Sequence, residues 1–260
     1  MCLILFAWDN HPDFKLLVAA NRDEFYERPA APAAFWSDHP EVLAGKDLKA
    51  GGTWLGITRS GRFAALTNYR DPENIKKNAP SRGQLTLDYL AGSMTAMDYL
   101  EDLLERGHHY NGFNLLIGDG EELYYLSNYE NRIRTLNPGV YGLSNGLIDD
   151  PWPKVKQGKK MMGQMLEGNY LHPDNFFKVL NNKDIAPDEA LPKTGVPLPW
   201  ERALSAMHIV TNNYGTVSSS AVMVTHGKDI IFAERVHGTV YRNASDKLFE
   251  LSYQIDPIKD

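Results

Sequence analysis

The chain has 260 residues, of which 43% are hydrophobic and 23% are charged, as in an ordinary globular protein. Its formal net charge of −6 and its lack of a Lys/Arg cluster argue against a nucleic-acid-binding surface. The apolar stretch 1–8 has no basic leader and meets Asp9 at once, so it is neither a signal peptide nor a membrane span. A single cysteine leaves no partner for an intramolecular disulfide. We therefore expect a cytoplasmic protein without an integral membrane segment; the sequence does not predict its oligomeric state.

The predicted elements run as strands, then helices, then strands again. Short apolar runs predict strands at 2–8 and 16–21, and a hairpin with strands at 53–58 and 62–68. From Gln84 to Arg106, leucines and methionines recur every three or four residues, which predicts one helix capped by Ser81. The same patterns predict a hairpin at 113–117 and 122–127, strands at 132–136 and 140–144 around Asn137-Pro138-Gly139, helices at 153–166 and 174–181, a surface loop at 184–200, and strands at 206–211, 219–225, 229–236 and 248–254. Together they predict a single domain, residues 1–260, with helices packed on antiparallel sheets.

Cys2 is the first candidate for chemistry, because it follows Met1 directly. Removal of Met1 would give Cys2 both a thiol and a free α-amino group, and these titrate near ~8.5 and ~7.7–8. Such a residue is a nucleophile that carries its own general base. The alternative is a small apolar residue that packs at the start of a strand.

The segment Asn21-Arg22-Asp23-Glu24 follows the second predicted strand. If the first two strands form a hairpin, this segment lies beside Cys2. Arg22 would then favour the thiolate and lower the thiol pKa, while Asp23 would accept a hydrogen bond from the α-ammonium and orient it. The alternative is a salt-bridged turn on the surface.

Two asparagines stand at predicted strand ends, Asn68 and Asn145. Their amides are suited to donate hydrogen bonds to a developing oxyanion. The alternative is a role in turn formation, which asparagine before glycine favours. The double glycine in Gly51-Gly52-Thr53-Trp54-Leu55-Gly56 allows close approach of a ligand or a neighbouring strand.

These motifs, in this order, resemble the NRDE family, which is also called the transport-and-Golgi-organisation family. The motifs that carry the resemblance are Met1-Cys2, Asn21-Arg22-Asp23-Glu24, Gly51-Gly52-Thr53-Trp54-Leu55-Gly56, Ser81-Arg82-Gly83, Asn111-Gly112-Phe113-Asn114, Tyr141-Gly142-Leu143-Ser144-Asn145, Leu191-Pro192 and Tyr214-Gly215-Thr216. The resemblance implies the fold of N-terminal-nucleophile (Ntn) hydrolases. That fold is an α+β, four-layer αββα sandwich, in which two antiparallel sheets are flanked by helices.

The family is similar to the bile-salt hydrolase and penicillin V acylase group, whose members begin Met-Cys and cleave amide bonds with the exposed cysteine. Their Asn-x-Asp motif matches Asn21 and Asp23, and their oxyanion asparagine matches Asn145. Asn68 matches a second amide donor less closely.

Two positions depart from the pattern. Ala20 stands where those enzymes have an arginine, and Arg22 lies inside the motif instead. Val217 stands where NRDE relatives often have the arginine of Gly-Thr-Arg-Ser, and Arg202 is a candidate to replace that charge. Both departures weaken the positive charge that would favour a Cys2 thiolate.

The resemblance leaves two functions open. One is a Cys2-dependent hydrolase of a non-peptide C–N (amide) bond that needs no cofactor, with Cys2, Arg22, Asp23, Asn145 and Asn68 as catalytic residues. The other is a non-catalytic carrier of haem or an acyl-lipid, with an apolar cavity between the sheets. Asn21, Trp54 and Asn114 are the predicted binding residues.

The histidines of the sequence do not distinguish the hydrolase from the carrier. The sequence has no metal-ligand spacing and no Cys-x-x-Cys-His motif for attached haem. The pair His108-His109 is the most conspicuous candidate for an axial haem ligand, although adjacent side chains point in different directions.

Overall fold

A computed structural model describes residues 2–252 of the chain. Two antiparallel sheets form its centre. The six-stranded sheet contains, in spatial order, β10 (Gly139–Leu143), β1 (Cys2–Trp8), β2 (Phe14–Phe25), β11 (Tyr214–Thr225), β12 (Asp229–Val236) and β13 (Ser245–Ser252). The seven-stranded sheet contains β3 (Ala30–Phe35), β4 (Val42–Asp47), β5 (Leu55–Thr58), β6 (Phe63–Asn68), β7 (Phe113–Gly118), β8 (Leu123–Ser127) and β9 (Arg132–Thr135).

Helices cover the outer faces of both sheets. The five α-helices of the described residues are α1 (Gly83–Ala91), α2 (Ala96–Arg106), α3 (Pro153–Glu167), α4 (Pro173–Leu180) and α5 (Leu198–Leu204). Helices α1 and α2 pack on the seven-stranded sheet, and α3 and α4 pack on β1, β2, β10 and β11 of the other sheet. This arrangement confirms the predicted αββα sandwich. No helix within residues 2–252 is long and apolar enough to cross a bilayer.

The alternation of side chains along β1 shows how the layers are separated. Ile4, Phe6 and Trp8 join the core between the two sheets, whereas Leu3, Leu5 and Ala7 join the core under α3 and α4. Because both faces are buried, the strand is a continuous apolar run without polar positions. Cys2 continues the Ile4 side of this alternation, which directs its side chain between the sheets.

The helix predicted from Gln84 to Arg106 is wrong in one respect, because it is two helices. Gly92 ends α1 in an extended conformation, and the Thr95 side chain caps α2 by accepting a hydrogen bond from Asp98 N at 3.1 Å. Ser81 does not cap α1, whose N-cap is Arg82. The apolar spacing continues across the break because both helices bury residues in the same cluster against one sheet.

Other boundaries also differ from the prediction. The strands near 132–136 and 140–144 are not partners, because β9 pairs with β8 and β10 pairs with β1. Segment 206–211 contributes an isolated bridge at Val210 rather than a strand, and the strand predicted at 219–225 starts at Tyr214. Strands β3 and β4 were not predicted, and α5 begins inside the predicted loop at 184–200. Residues 253–254 of the last predicted strand lie outside the described residues.

Candidate active site

A cavity of about 340 Å³ opens where β1 begins, and its walls are mostly polar. The register of the first sheet places Cys2 opposite Arg22, as the predicted hairpin required. The segment Asn21-Arg22-Asp23-Glu24 lies inside β2, however, and does not form a turn after it. Among the described residues, the cavity is lined by Cys2, Arg22, Asp23, Glu24, Arg28, Asp47, Ala50, Thr53, Trp54, Leu66, Asn68, Ala79, Pro80, Ser81, Arg82, Gly83 and Asn111.

Cys2 is half-buried at the first position of β1. The Ser144 hydroxyl donates to the Cys2 carbonyl oxygen at 3.2 Å and so ties the start of β1 to the segment after β10. Burial raises the pKa of the Cys2 thiol, and the nearby charge of Asp23 raises it further. Arg22 acts in the opposite direction but does not outweigh them. Arg22 thus lowers the thiol pKa in the predicted direction, but desolvation is the larger effect and the pKa is raised overall.

Asp23 is buried at the same end of the sheet. Its Oδ1 accepts a hydrogen bond from the Thr216 hydroxyl at 2.7 Å, and its carbonyl oxygen accepts one from the Tyr214 hydroxyl at 3.0 Å. Burial raises the pKa of this carboxyl group, while the charge of Lys154 and the Thr216 hydrogen bond lower it. The carboxylate is held rigidly beside the Cys2 end of β1, where the predicted orienting role requires it.

Arg22 and Trp54 form one wall of the cavity. The Arg22 guanidinium lies 4.2 Å from the centroid of the Trp54 ring and 3.7 Å from Asp47 Oδ2. Arg28 Nε shares the same carboxylate oxygen at 2.8 Å. Asp47 therefore pairs with two arginines and neutralises Arg22 only in part. Arg22 still contributes positive charge to the cavity.

The two predicted amide donors occupy different positions. Asn68 lines the cavity, and its side chain makes no hydrogen bond to another residue of 2–252. Asn145 is fully buried behind it, and its Nδ2 donates to the Asn68 carbonyl oxygen at 2.8 Å. Asn68 is thus the amide with direct access to a ligand, and Asn145 holds the Asn68 backbone in place.

Asn21 and Asn114 do not line the cavity. Asn21 donates to the carbonyl oxygens of Leu180 and Met207 under the helical layer, at 2.9 and 2.8 Å. Asn114 donates to the Gly146 carbonyl oxygen at 2.9 Å and links β7 to the segment after β10. These contacts do not support the predicted binding roles, because both amides are used inside the fold.

The structure brings two cations to the site that the sequence analysis missed, Arg70 and Lys154. Arg70 Nη1 lies 2.7 Å from Glu201 Oε2, and both side chains are buried. Lys154 is buried near the first turn of α3. It shares the apolar stripe of that helix with Gly158, Met162 and Met165, and a lysine on such a stripe is a signal that the sequence already contained.

The structure also shows where Val217 and its candidate replacement Arg202 lie. Val217 is a buried residue at a β-bulge, where the register between β11 and β2 shifts beside Arg22 and Asp23. Arg202 does not replace that charge, because it lies at the exposed surface with its Nη2 2.6 Å from Asp188 Oδ2.

The two stacked antiparallel sheets and their helical layers define an α+β sandwich, and solved structures share this fold. The C2A mutant of conjugated bile acid hydrolase from Clostridium perfringens has a TM-score of 0.51 and 13% identity, covering 98% of both chains. A Caenorhabditis elegans orthologue of N-acylethanolamine-hydrolyzing acid amidase has a TM-score of 0.50 and 10% identity, covering 85% of this chain and 92% of that one. At these identities the likeness extends to the fold alone.

The sequence of the chain shows its family. The family model for Transport and Golgi organisation 2 matches residues 1–238. The bovine Transport and Golgi organization protein 2 homolog is 39% identical over 256 residues, covering 90% of this chain and 92% of that protein. The Drosophila melanogaster Transport and Golgi organization protein 2 is 31% identical over 261 residues, covering 90% of this chain and 91% of that protein. The chain therefore belongs to the Transport and Golgi organisation 2 family, and NRDE is another name for that family, so the predicted resemblance is confirmed.

Proposed function

We propose that the protein is a Cys2-dependent hydrolase of a non-peptide C–N bond in a small amide. The observation that carries this proposal is the convergence of Cys2, buried Asp23 and Asn68 at one cavity, where the Asn68 amide bonds no other residue of 2–252. A nucleophile, an orienting carboxylate and an oxyanion donor are the groups that acyl transfer needs. The names of the two solved hydrolases agree with this class of reaction.

The reaction requires removal of Met1, because an acylated nitrogen is not a base. The neutral α-amine of Cys2 takes the thiol proton, and the sulfur attacks the amide carbon. The carbonyl π electrons move to oxygen, where Asn68 donates a hydrogen bond to the oxyanion. When the C–N bond breaks, the α-ammonium returns its proton to the leaving nitrogen and a thioester remains. Water then attacks the thioester, passes a proton to the α-amine, and releases the acid and the Cys2 thiol.

The chemistry of the cavity walls favours this function over the carrier alternative. Haem or an acyl chain needs a predominantly apolar cavity. This cavity is bordered by charged side chains from both sheets, and no histidine lines it among the described residues. The pair His108-His109 lies outside it in an exposed turn, where His108 Nδ1 contacts the Glu105 carbonyl oxygen at 2.7 Å.

Intact-mass measurement and acyl-enzyme trapping test the hydrolase. The purified protein should lack Met1, and a panel of N-acyl amino acids and N-acyl amines should include a substrate that adds its acyl mass to Cys2. Cys2 is the only cysteine of the chain, so the adduct is assigned without ambiguity. Cys2→Ala should abolish both the adduct and the hydrolysis, and Lys156→Met, at an exposed position of α3, should leave both unchanged. Retained Met1 together with a Cys2 that iodoacetamide does not alkylate at neutral pH would contradict the proposal.

Titration with haem tests the alternative directly. The hydrolase proposal expects only weak adsorption that does not saturate. Saturable one-to-one binding with a shifted Soret band, unaffected by amide substrates, would favour the carrier instead.

A further inference from the structure

Lys154 is a buried cation that the proposed reaction does not use. Its side chain is 2% exposed, and its Nζ has no hydrogen-bond partner within residues 2–252. It is also the second residue of α3, after Pro153, so it lies at the positive end of the helix dipole. Burial, a missing partner and the helix dipole all disfavour the charged form here. A position with three such penalties needs a reason other than stability.

The backbone that carries Lys154 is fixed by close packing. A Cβ added at Gly142 of β10 would lie 2.7 Å from Val155 Cγ1, and a Cβ added at Gly158 would lie 2.6 Å from Leu5 Cδ1 of β1. Helix α3 therefore rests directly on β10 and β1. This contact places the first turn of α3 over the end of the sheet where the candidate active site is built.

Titratable groups from four other parts of the chain act electrostatically on Lys154. They are Asp23 of β2, Cys2 of β1, Arg70 of the segment after β6, and Glu201 of α5. Arg70 and Glu201 are paired at 2.7 Å, and Glu201 also accepts from Thr194 N at 3.1 Å. Asp23 is the group whose charge acts most strongly on Lys154. The four charged side chains other than Cys2 balance, with two positive and two negative charges.

We propose that Lys154 is a positioning residue of the Cys2 site, whose buried ammonium keeps Asp23 ionised and offsets the attraction of Asp23 for a proton on the neighbouring α-amine of Cys2. The inference rests on the proposed function, since only a processed Cys2 carries that amine. A protonated α-amine would add a third positive charge beside Lys154 and Arg70. The free amine is therefore favoured, and it can accept the thiol proton as the S–H bond breaks and an N–H bond forms.

The protonation state of Lys154 agrees with this role. Burial lowers the pKa of Lys154 to about 8, against the opposing charge of Asp23. The ammonium is thus present at neutral pH and is lost in mildly alkaline solution. In the same way, the charge of Lys154 lowers the pKa of Asp23, which burial otherwise raises.

Alkylation of Cys2 by iodoacetamide as a function of pH tests the inference without any turnover. Lys154→Met should slow the alkylation of Cys2 at pH 7 by up to about tenfold, because a nearby cation that favours the thiolate is lost. Above pH 8 the wild-type ammonium is itself deprotonated, so the two alkylation rates should converge. Lys154→Arg, which keeps the charge, and Lys156→Met, which removes an exposed charge from the same helix, should both follow the wild type. A folded Lys154→Met that is alkylated at the wild-type rate at pH 7 would overturn the inference.

The pH profile of kcat/KM separates this inference from the proposed function. For any substrate found, the acidic limb should shift to higher pH in Lys154→Met and stay in place in Lys154→Arg. A shifted alkylation profile without hydrolysis of any amide would overturn the proposed function alone.

A measurement on the wild type covers the case in which Lys154→Met does not fold. In ¹³C NMR spectra of lysine-labelled protein, one Cε signal should titrate near pH 8, and it should be absent from Lys154→Arg. If every lysine titrates near pH 10.5, Lys154 is not desolvated and the inference fails.

Discussion

Asp23 shows how a single buried residue at the candidate site can cost stability. Its carboxylate is buried, and its folded-state pKa is raised by burial despite the opposing charge of Lys154. The folded state therefore binds the Asp23 proton more tightly than the unfolded state does. The contribution to stability is fully present below the unfolded pKa and is lost as pH rises through the folded pKa, so ionised Asp23 costs stability at neutral pH.

Asp23→Asn should consequently lower activity without lowering stability. The amide keeps the hydrogen bond from Thr216 and removes a desolvated charge, so the free energy of unfolding at pH 7 should equal or exceed that of the wild type. Hydrolysis should fall by at least about 10²-fold, because the α-amine loses its orienting group. Urea unfolding at pH 7 and pH 4 checks this prediction, and the difference between variant and wild type should shrink at pH 4. A loss of more than about 1 kcal/mol at pH 7 would contradict it.

The two asparagines provide a second comparison between residues. Asn68→Ala removes an amide that bonds no other described residue, so it should cost about 10²–10³ in kcat and less than about 0.5 kcal/mol in stability. Asn145→Ala leaves the Asn68 carbonyl oxygen without its donor and should cost about 1–3 kcal/mol. Kinetics and urea unfolding of both variants check that Asn68→Ala mainly lowers kcat and Asn145→Ala mainly lowers stability. Equal losses of stability would show that Asn68 is structural.

Site residues differ in how far the sequence predicts them. Cys2, Asp23 and Asn68 were predictable, because a short hairpin and a strand end place them by local rules. Arg70 and Lys154 were not predicted as site residues, because they reach the site from the segment after β6 and from a helix of the other layer. Asn21 and Asn114 were predicted to bind a ligand but serve the fold, since a motif match does not reveal which face of a strand a side chain occupies.

At the scale of elements, the cavity depends on how β5 meets α1. Thr53 N donates to the Gly83 carbonyl oxygen at 3.1 Å, which fixes the segment before β5 against the first turn of α1. A Cβ added at Gly52 would lie 2.4 Å from the Gly83 carbonyl carbon and 2.7 Å from Gln84 N. All of these atoms belong to the backbone, so a side chain at Gly52 cannot be accommodated by rotation. The sequence analysis predicted close approach at this double glycine, and the partner is a helix start.

Gly52→Ala should therefore destabilise the protein by about 1–3 kcal/mol or more, through forced displacement of α1. Because Thr53, Ser81, Arg82 and Gly83 all line the cavity, the reactivity of Cys2 with iodoacetamide should change as well. Gly163→Ala is the matched control, since a Cβ at that position of α3 meets nothing within 4 Å. The control should gain up to about 1 kcal/mol from helix propensity. Thermal unfolding of both variants measures these changes in stability. A Gly52→Ala variant as stable as the wild type would contradict the close contact between Gly52 and Gly83.

Other elements show why the sequence gives only part of the topology. Helices α3 and α4 were predicted within about one residue, because a strong amphipathic pattern and an N-terminal proline define each. The separation of β9 and β10 into different sheets was not predictable, because both are short strands joined by a turn that is typical of a hairpin.

At the scale of the whole molecule, four buried charges connect the two sheets and the helical layer. Asp23 comes from the six-stranded sheet, Arg70 follows the last residue of β6 in the other sheet, and Lys154 and Glu201 come from α3 and α5. Such a cluster is costly to desolvate, and it is weak support for stability. Asp23 of this cluster lines the cavity and α3 packs tightly on β1, so the layers converge near the site at some expense of stability.

The stability of the whole protein should carry the signature of this cluster in alkaline solution. The folded pKa of Lys154 is about 8 and its ordinary value is 10.5, so between these values the unfolded state binds more protons. The contribution of Lys154 is thus fully present above pH 10.5 and is lost as pH falls through 8. The free energy of unfolding of the wild type, relative to Lys154→Met, should rise by about 3 kcal/mol between pH 8 and pH 10.5. Urea unfolding of wild type and Lys154→Met across this pH range measures the difference between their free energies of unfolding. Groups that titrate alike in both proteins cancel from that difference. Lys156→Met, compared in the same way, should show no such rise because its side chain is exposed. A flat difference for Lys154→Met would mean that the ammonium is hydrated in the folded protein.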